Sequence, residues 1–275
     1  MQTEARVASH YGRGGLEERI RGALQRAGLD LGHLNAEDLS PIDEFHIGGL
    51  EATRELAAQM ELRKGMRLLD VGSGIGGPAR YFAAAHGCQV SGIDLTEEFV
   101  DIARALTSMV SLENPPVFRQ ASALAMPFEK DSFDGAYILH VGMNLMDKAA
   151  VFREARRVLK KGALFTVYDI VSSGDGAFGF PVPWAQSAET SFVEDAAAYR
   201  KALQDSGFHL EKERDRRQFA IDFTQSRMAR MAEPNPPVMG LHVLIGELSA
   251  DMMKNMLAAL KGGVLAPVEM LARAV

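Results

Sequence analysis

The stretch LLDVGSGIGGPAR, residues 68–80, runs from an apolar segment into a loop rich in glycine. The apolar run predicts a buried β-strand, and Pro78 after the loop suits the first turn of a helix. Gly72, Gly74 and Gly77 have the spacing G-x-G-x-x-G. Glycine lets a backbone adopt left-handed conformations and approach a ligand closely. The stretch therefore predicts a ligand site at the end of a strand.

Strands and helices alternate downstream of this loop. Helices are predicted over 78–87, 96–110, 148–162 (ended by Gly162) and 191–205. Strands are predicted over 66–72, 89–95, 116–123, 132–141, 163–171, 207–215 and 266–275. This alternation predicts an α/β fold: a Rossmann-like, seven-stranded, mostly parallel sheet with helices on both faces.

Two parts of the chain fall outside the alternation. Residues 1–55 carry helical patterns before the first strand, and about 216–262 contain two more. We predict an N-terminal helical lid over 1–55 and an α/β domain over 56–275 with a helical insertion at about 216–262. Both helical parts either pack on the flanks of the sheet or cover the carboxyl ends of its strands, where open α/β sheets bind ligands.

Composition narrows the class of protein. The 275-residue chain is 47% hydrophobic with a net charge of −6, so it has no basic footprint for nucleic acid. Its single cysteine, Cys88, excludes an internal disulfide and suits a reducing compartment. The polar start lacks the apolar core of a signal peptide, and no run reaches the ~18 apolar residues of a membrane span. We expect a cytoplasmic protein with neither nucleic acid nor a membrane as partner.

The charges around the loop indicate which ligand it holds. Asp70 lies two residues before Gly72, where its carboxylate would oppose a dinucleotide pyrophosphate and would suit a cationic ligand. Opposite charges a few Å apart near a protein surface interact by roughly 4 kcal/mol, so the sign of the ligand matters. S-adenosylmethionine carries an ammonium and a sulfonium and no phosphate. Asp94, at the end of the second strand, suits the ribose hydroxyls of either ligand.

Several segments resemble class I S-adenosylmethionine-dependent methyltransferases. LLDVGSGIGGPARYFA is similar to the first motif of that family and VSGIDLT to the second. MPFEKDSFDGAYILH and EARRVLKKGALFTVYDI resemble the segments through its fourth and fifth strands. The resemblance covers about residues 45–171. Within the class, the chain is most similar to the phosphoethanolamine, sarcosine–dimethylglycine and sterol methyltransferases, which act on small molecules.

The resemblance implies a set of cofactor contacts. Asp70 and the loop glycines would hold the methionine portion, Asp94 the ribose, and Leu95 the adenine. Ser122 stands where the family often has an aspartate for the adenine amino group. The implied cofactor-binding residues are Phe45, His46, Asp70, Gly72, Gly74, Gly76, Asp94, Leu95, Ser122, Ala123 and Leu139.

Candidates for catalysis lie near the strand ends and in the N-terminal segment. His140 ends the fourth strand and titrates in a useful range, but it also suits a core or capping position. Asn144 stands where phosphoethanolamine enzymes have a catalytic histidine, so phosphoethanolamine is not the expected substrate. Asn144 orients an acceptor or caps local structure. His46 is a base or a cofactor contact, and Tyr11 resembles a lid tyrosine of related enzymes.

A few residues are candidates for the lining of a pocket that binds the methyl acceptor. Trp184, the only tryptophan, either anchors a proline-rich loop or lines the pocket together with His140. Met252, Met253 and Met256 line an apolar chamber or pack between helices. No His/Cys cluster has the spacing of a metal site, so no metal is predicted.

These observations predict an S-adenosylmethionine-dependent methyltransferase that transfers a methyl group to N, S or O of a small molecule by in-line displacement. A narrower alternative is a small-thiol S-methyltransferase, because a thiol with a pKa near ~8.5 needs little help from a base. Two alternatives of other classes are an NAD-dependent oxidoreductase and a non-catalytic cofactor-binding protein.

Overall fold

A computed structural model describes residues 15–275. A seven-stranded sheet with the order β3-β2-β1-β4-β5-β7-β6 forms its centre. All neighbouring strands are parallel except that β7 is antiparallel to both β5 and β6. The Rossmann-like fold predicted from the sequence is confirmed. The strands are β1 (Arg67–Val71), β2 (Gln89–Asp94), β3 (Val117–Gln120), β4 (Phe133–Leu139), β5 (Leu159–Ser172), β6 (Phe208–Asp215) and β7 (Leu265–Ala274).

Ten α-helices surround this sheet in the described residues. Three precede it: α1 (Leu16–Arg26), α2 (Ala36–Asp43) and α3 (Gly49–Ala57). Four connect strands: α4 (Gly77–His86), α5 (Glu97–Ser108), α6 (Lys148–Val158) and α7 (Ala196–Asp205). Three lie between β6 and β7: α8 (Arg217–Met231), α9 (Leu241–Ile245) and α10 (Ser249–Lys261). None of the helices in residues 15–275 is both long and apolar enough to cross a bilayer.

The sheet is buried on both faces, which explains the near-continuous apolar runs of its central strands. On one face, Phe152 of α6 and Leu203 of α7 pack with Phe165 of β5. On the other face, Phe82 of α4 packs with Tyr137 of β4, with ring centroids 4.7 Å apart. Since β1, β2 and β4 are parallel neighbours, their carboxyl ends meet at one edge of the sheet.

Local structure departs from the sequence predictions at Gly162. Helix α6 ends at Val158, and β5 begins at Leu159, so the prediction that Gly162 ends this helix is wrong. Gly162 has φ +79° and lies where the register of β4 against β5 shifts. Its left-handed conformation therefore belongs to a β-bulge rather than to a helix end. The 216–262 segment also holds three helices instead of the two predicted.

The N-terminal helices are packed into the body of the protein. Ile20 and Leu24 of α1 and Leu39 of α2 share an apolar cluster with Ile102 and Leu106 of α5. Whether this segment moves as a lid stays a prediction.

An ion pair without solvent exposure reinforces this packing. The guanidinium of Arg80 on α4 donates to Asp43 Oδ2 of α2 at 2.8 Å, and the two side chains are 0% and 2% exposed. Arg80 also donates to the carbonyl of Ile75 at 2.6 Å and to Thr107 Oγ1 at 3.0 Å. Removing one partner of such a pair costs about 3–5 kcal/mol, because a charge is left buried and uncompensated.

Candidate active site

A cavity of about 310 Å³ opens at the carboxyl ends of β1, β2 and β4. Open α/β sheets bind ligands at this edge. Its walls contain every predicted cofactor residue except Gly76: Phe45, His46, Asp70, Gly72, Gly74, Asp94, Leu95, Ser122, Ala123 and Leu139. The fold thus brings together side chains that lie up to 94 positions apart along the chain.

The glycine loop needs its glycines for two different reasons. Gly72, Gly74 and Gly76 all have left-handed φ values, of +78°, +51° and +86°. A Cβ on Gly72 would lie 2.5 Å from Val141, and one on Gly76 would lie 2.5 Å from the Phe118 ring. A Cβ on Gly74 would meet nothing within 4 Å. Gly76 therefore packs against Phe118 outside the cavity lining, whereas Gly72 and Gly74 border the cavity.

The carboxylate of Asp94 is held by backbone donors on both oxygens. Gly74 N–H donates to Oδ2 and Thr96 N–H donates to Oδ1, each at 2.9 Å. Burial raises the pKa of Asp94, and these two backbone hydrogen bonds oppose that rise. Each oxygen keeps a second lone pair, so a vicinal diol could donate to both. Asp94 therefore has both the orientation and the acceptors needed for a ribose.

Asp70 lacks the partners that Asp94 has. Its side chain lies on β1 and the residue is 2% exposed, and within the described part of the chain Oδ2 accepts no hydrogen bond. Burial raises the pKa of Asp70 to about 8, the neighbouring Tyr137 hydroxyl opposes this rise, and the charge of Asp94 adds a smaller increase. A buried carboxylate oxygen without a donor is unfavourable, so this site fits a ligand that brings a cationic donor.

His140 occupies a constrained position directly after β4. Its φ is +54°, in the left-handed region that non-glycine residues seldom adopt. Nδ1 accepts a hydrogen bond from the Ile47 N–H at 3.4 Å, which places the proton of the neutral ring on Nε2. Nε2 is buried, and nothing in residues 15–275 accepts from it. Burial and the neighbouring His46 ring hold the pKa of His140 well below its usual range, so His140 offers a donor rather than a base.

His46 belongs to a buried chain of polar groups. Thr53 Oγ1 donates to Glu44 Oε2 at 2.7 Å and contacts His46 Nε2 at 3.2 Å. Because the hydroxyl proton goes to Glu44, His46 Nε2–H donates to Thr53. Burial lowers the pKa of His46 to about 4, so the ring is neutral. Glu44 is not among the site residues predicted from the sequence, although it is adjacent to the predicted contact Phe45.

A second, smaller cavity of about 50 Å³ adjoins the first one. Phe45, His46 and His140 line both cavities and form their junction. The walls of the second cavity include Trp184, Phe223, Arg227, Met253 and Met256. Trp184, Met253 and Met256 thus line one cavity, whereas Met252 is buried outside it, and the acceptor pocket itself stays a prediction.

The remaining predicted site residues have other surroundings. Asn144 lines the first cavity, and its Nδ2 donates to the carbonyls of Trp184 at 2.9 Å and Thr190 at 3.3 Å. These bonds suit positioning of the loops after β4 and β5. Ser122 Oγ accepts from Leu124 N–H at 3.1 Å, and its predicted adenine contact stays a prediction. Tyr11 lies outside the described residues.

Comparisons with known proteins agree with this architecture. Residues 69–167 match the family model described as "Methyltransferase domain". Methyltransferase GfsG of Streptomyces halstedii is 32% identical over 137 residues, which cover 50% of this chain and 49% of that protein. Phosphoethanolamine N-methyltransferase 1 of Triticum aestivum is 31% identical over 200 residues, which cover 65% of this chain and 39% of that protein. The chain thus spans about half or less of the length of these relatives.

A solved structure matches over the whole chain. Geranyl diphosphate C-methyltransferase from Streptomyces coelicolor A3(2), in complex with Mg²⁺, geranyl-S-thiolodiphosphate and S-adenosyl-L-homocysteine, superposes with a TM-score of 0.74. The match covers 100% of this chain and 99% of that one at 16% identity, which establishes the fold. Together with the family match, it confirms the resemblance carried by the glycine loop: residues 69–167 match a methyltransferase domain, and the chain has the Rossmann-like fold of a solved methyltransferase.

Proposed function

We propose that this protein transfers a methyl group from S-adenosylmethionine to N, S or O of a small molecule. The observation that carries the proposal is the pair of buried carboxylates at one edge of the sheet. Asp94 is oriented by two backbone donors toward a diol, and Asp70 has a buried oxygen that lacks a donor. S-adenosylmethionine has a ribose diol and a cationic amino-acid portion, so it complements both groups.

Different residues would bind the different parts of the cofactor and orient them. Asp70 and the Gly72–Gly74 backbone would hold the amino-acid portion, and Asp94 would hold the ribose. When bound, the cofactor supplies an already activated methyl electrophile. The protein then has to align a nucleophile with the methyl group and exclude water. The junction formed by Phe45, His46 and His140 is the place where a nucleophile from the second cavity would meet the first.

The state of the histidines bears on the accepting atom. His140 presents an Nε2–H donor, and His46 is engaged with Thr53, so neither ring is arranged to remove a proton. A thiol needs little help from a base, and an N–H donor stabilises a thiolate. This arrangement favours the small-thiol S-methyltransferase as a second candidate.

Calorimetric titrations separate the classes of function. We expect S-adenosylhomocysteine to bind, because its ammonium can donate to Asp70 and ionise it, and NADH to give no heat, because a pyrophosphate brings no cationic donor to this buried carboxyl group. Binding of NADH alone would overturn the proposal. Release of S-adenosylhomocysteine during incubation of S-adenosylmethionine with amines, thiols and phenols then tests for catalysis, and absence of release with every acceptor would favour a non-catalytic binding protein.

A further inference from the structure

Among residues 15–275, the lining of the second cavity is mostly apolar and includes one arginine. Trp184, Phe223, Met253 and Met256 contribute hydrophobic walls. Arg227, on α8, lines the same cavity, and its guanidinium lies beside the ring of Phe223, another lining residue. Methionine side chains are unbranched and flexible, so walls of this kind adapt to occupants of different shapes.

Arg227 is poorly compensated in the protein. No carboxylate in residues 15–275 forms an ion pair with it, and its guanidinium lies 5.4 Å from the centroid of the Phe223 ring. Burial, and to a smaller extent the like charge of Arg230, lowers the pKa of Arg227. A guanidinium stays protonated despite such a shift. A partly buried cation without an anion is costly, and therefore indicates that an anion is supplied from outside.

The other titratable groups that line this cavity do not cancel the charge. His46 and His140 are neutral because burial lowers the pKa of both rings. Burial and the nearby carboxylates of Asp43 and Asp70 raise the pKa of Glu44 well above its usual range. The cavity therefore presents an excess positive charge to whatever fills it.

We propose that the methyl acceptor is an amphipathic anion, whose apolar body contacts Trp184, Phe223 and the methionines and whose carboxylate or phosphate pairs with Arg227. This inference rests on the proposed function only in calling the ligand a methyl acceptor. An amine would bring a second cation beside Arg227, and a neutral molecule would leave the guanidinium desolvated and unpaired. Arg227 is thus a specificity-determining residue that selects the acceptor by charge.

Three probes with the same alkyl chain and different charge test the inference: hexanoate, hexanamide and hexylamine. Each is titrated calorimetrically into the protein, with and without saturating S-adenosylhomocysteine. We expect hexanoate to bind at least about tenfold more tightly than hexanamide, the low end of what a hydrogen bond to a charged group contributes. Hexylamine is expected to bind weakest.

Arg227→Gln removes the charge and keeps a polar side chain of related shape. It should abolish the preference for hexanoate, whereas Arg227→Lys should keep a reduced preference. Arg230→Gln is the matched control, because Arg230 lies on the same helix and is exposed. Thermal melting confirms that each variant is folded.

The outcomes distinguish this inference from the proposed function. Equal binding of the three probes, binding of none, or an unchanged hexanoate preference in Arg227→Gln would each overturn the anionic acceptor. A phosphate-bearing probe, hexyl phosphate, shows which anion Arg227 prefers. Tighter binding of either hexanoate or hexyl phosphate than of hexanamide supports the inference. Failure of S-adenosylhomocysteine to bind would instead refute the proposed function, while the probe titrations without it still test the charge of the ligand.

Discussion

Replacing Asp94 by alanine is the most direct test of the cofactor site. The carboxylate accepts from Gly74 N–H and Thr96 N–H at 2.9 Å each and keeps lone pairs for two ribose hydroxyls. Hydrogen bonds to a charged group contribute about 1.5–3 kcal/mol each. Loss of two such bonds corresponds to about 3–6 kcal/mol, or a dissociation constant for S-adenosylhomocysteine raised by about 10²- to 10⁴-fold.

The measurement is calorimetric titration of S-adenosylhomocysteine, accompanied by thermal melting. Asp94→Ala also leaves the backbone N–H groups of Gly74 and of Thr96, the residue before α5, without their acceptor, so some loss of stability is expected. Asp134→Ala is a matched control, because Asp134 also accepts from a backbone N–H, that of Arg67 at 2.8 Å, but lies outside the residues that line the cavity. A dissociation constant within about threefold of wild type in a folded Asp94→Ala protein would refute the assigned role.

Two further predictions concern the glycine loop and Asp70, which lies just before it. Gly72→Ala should weaken S-adenosylhomocysteine binding and lower the melting temperature, because its Cβ would lie 2.5 Å from Val141 in addition to the strain of φ +78°. Gly162→Ala, with φ +79° and nothing within 4 Å, should cost stability only, and equal binding by both variants would contradict the explanation. Without ligand, stability should fall as the pH rises from about 4 to about 8, because the folded-state pKa of Asp70 is raised to about 8 and the native state holds the proton that the unfolded chain releases. Denaturant unfolding at pH 5 and pH 8 measures the free energy of unfolding at each pH. Asp70→Asn should reduce the difference between the two values, and a difference equal to that of wild type would contradict the prediction.

The sequence predicted most of the framework because the relevant signals are local. Alternating strand and helix patterns predicted all seven strands, and Asp70 and Asp94, selected by their charge and position, both line the larger cavity. Gly162 was misassigned because a left-handed glycine suits both a helix end and a β-bulge. Only the pairing of β4 with β5 decides between the two.

The other omissions involve contacts between distant parts of the chain. The Arg227 side chain reaches a cavity whose other walls include Phe45 and Trp184, and no pattern on α8 marks it. The tautomer of His140 depends on the backbone N–H of Ile47, which lies 93 positions away. Such contacts follow from tertiary packing. Residue type and spacing can therefore indicate which residues matter, but not their tautomers or the partners of their charges.

The buried pair of Arg80 and Asp43 has a consequence for how ligand binding and folding are linked. Arg80 also donates to the carbonyl of Ile75, inside the glycine loop. One guanidinium thus joins helix α2 to the loop that would bind the cofactor. Such coupling between two sites is reciprocal. If the packed N-terminal helices strengthen ligand binding by a given free energy, then bound ligand stabilises the packing of those helices by the same free energy. We therefore expect helix α2 and the glycine loop to be stabilised together, and removal of residues 15–57 to weaken ligand binding as well as to remove any cover that these helices provide.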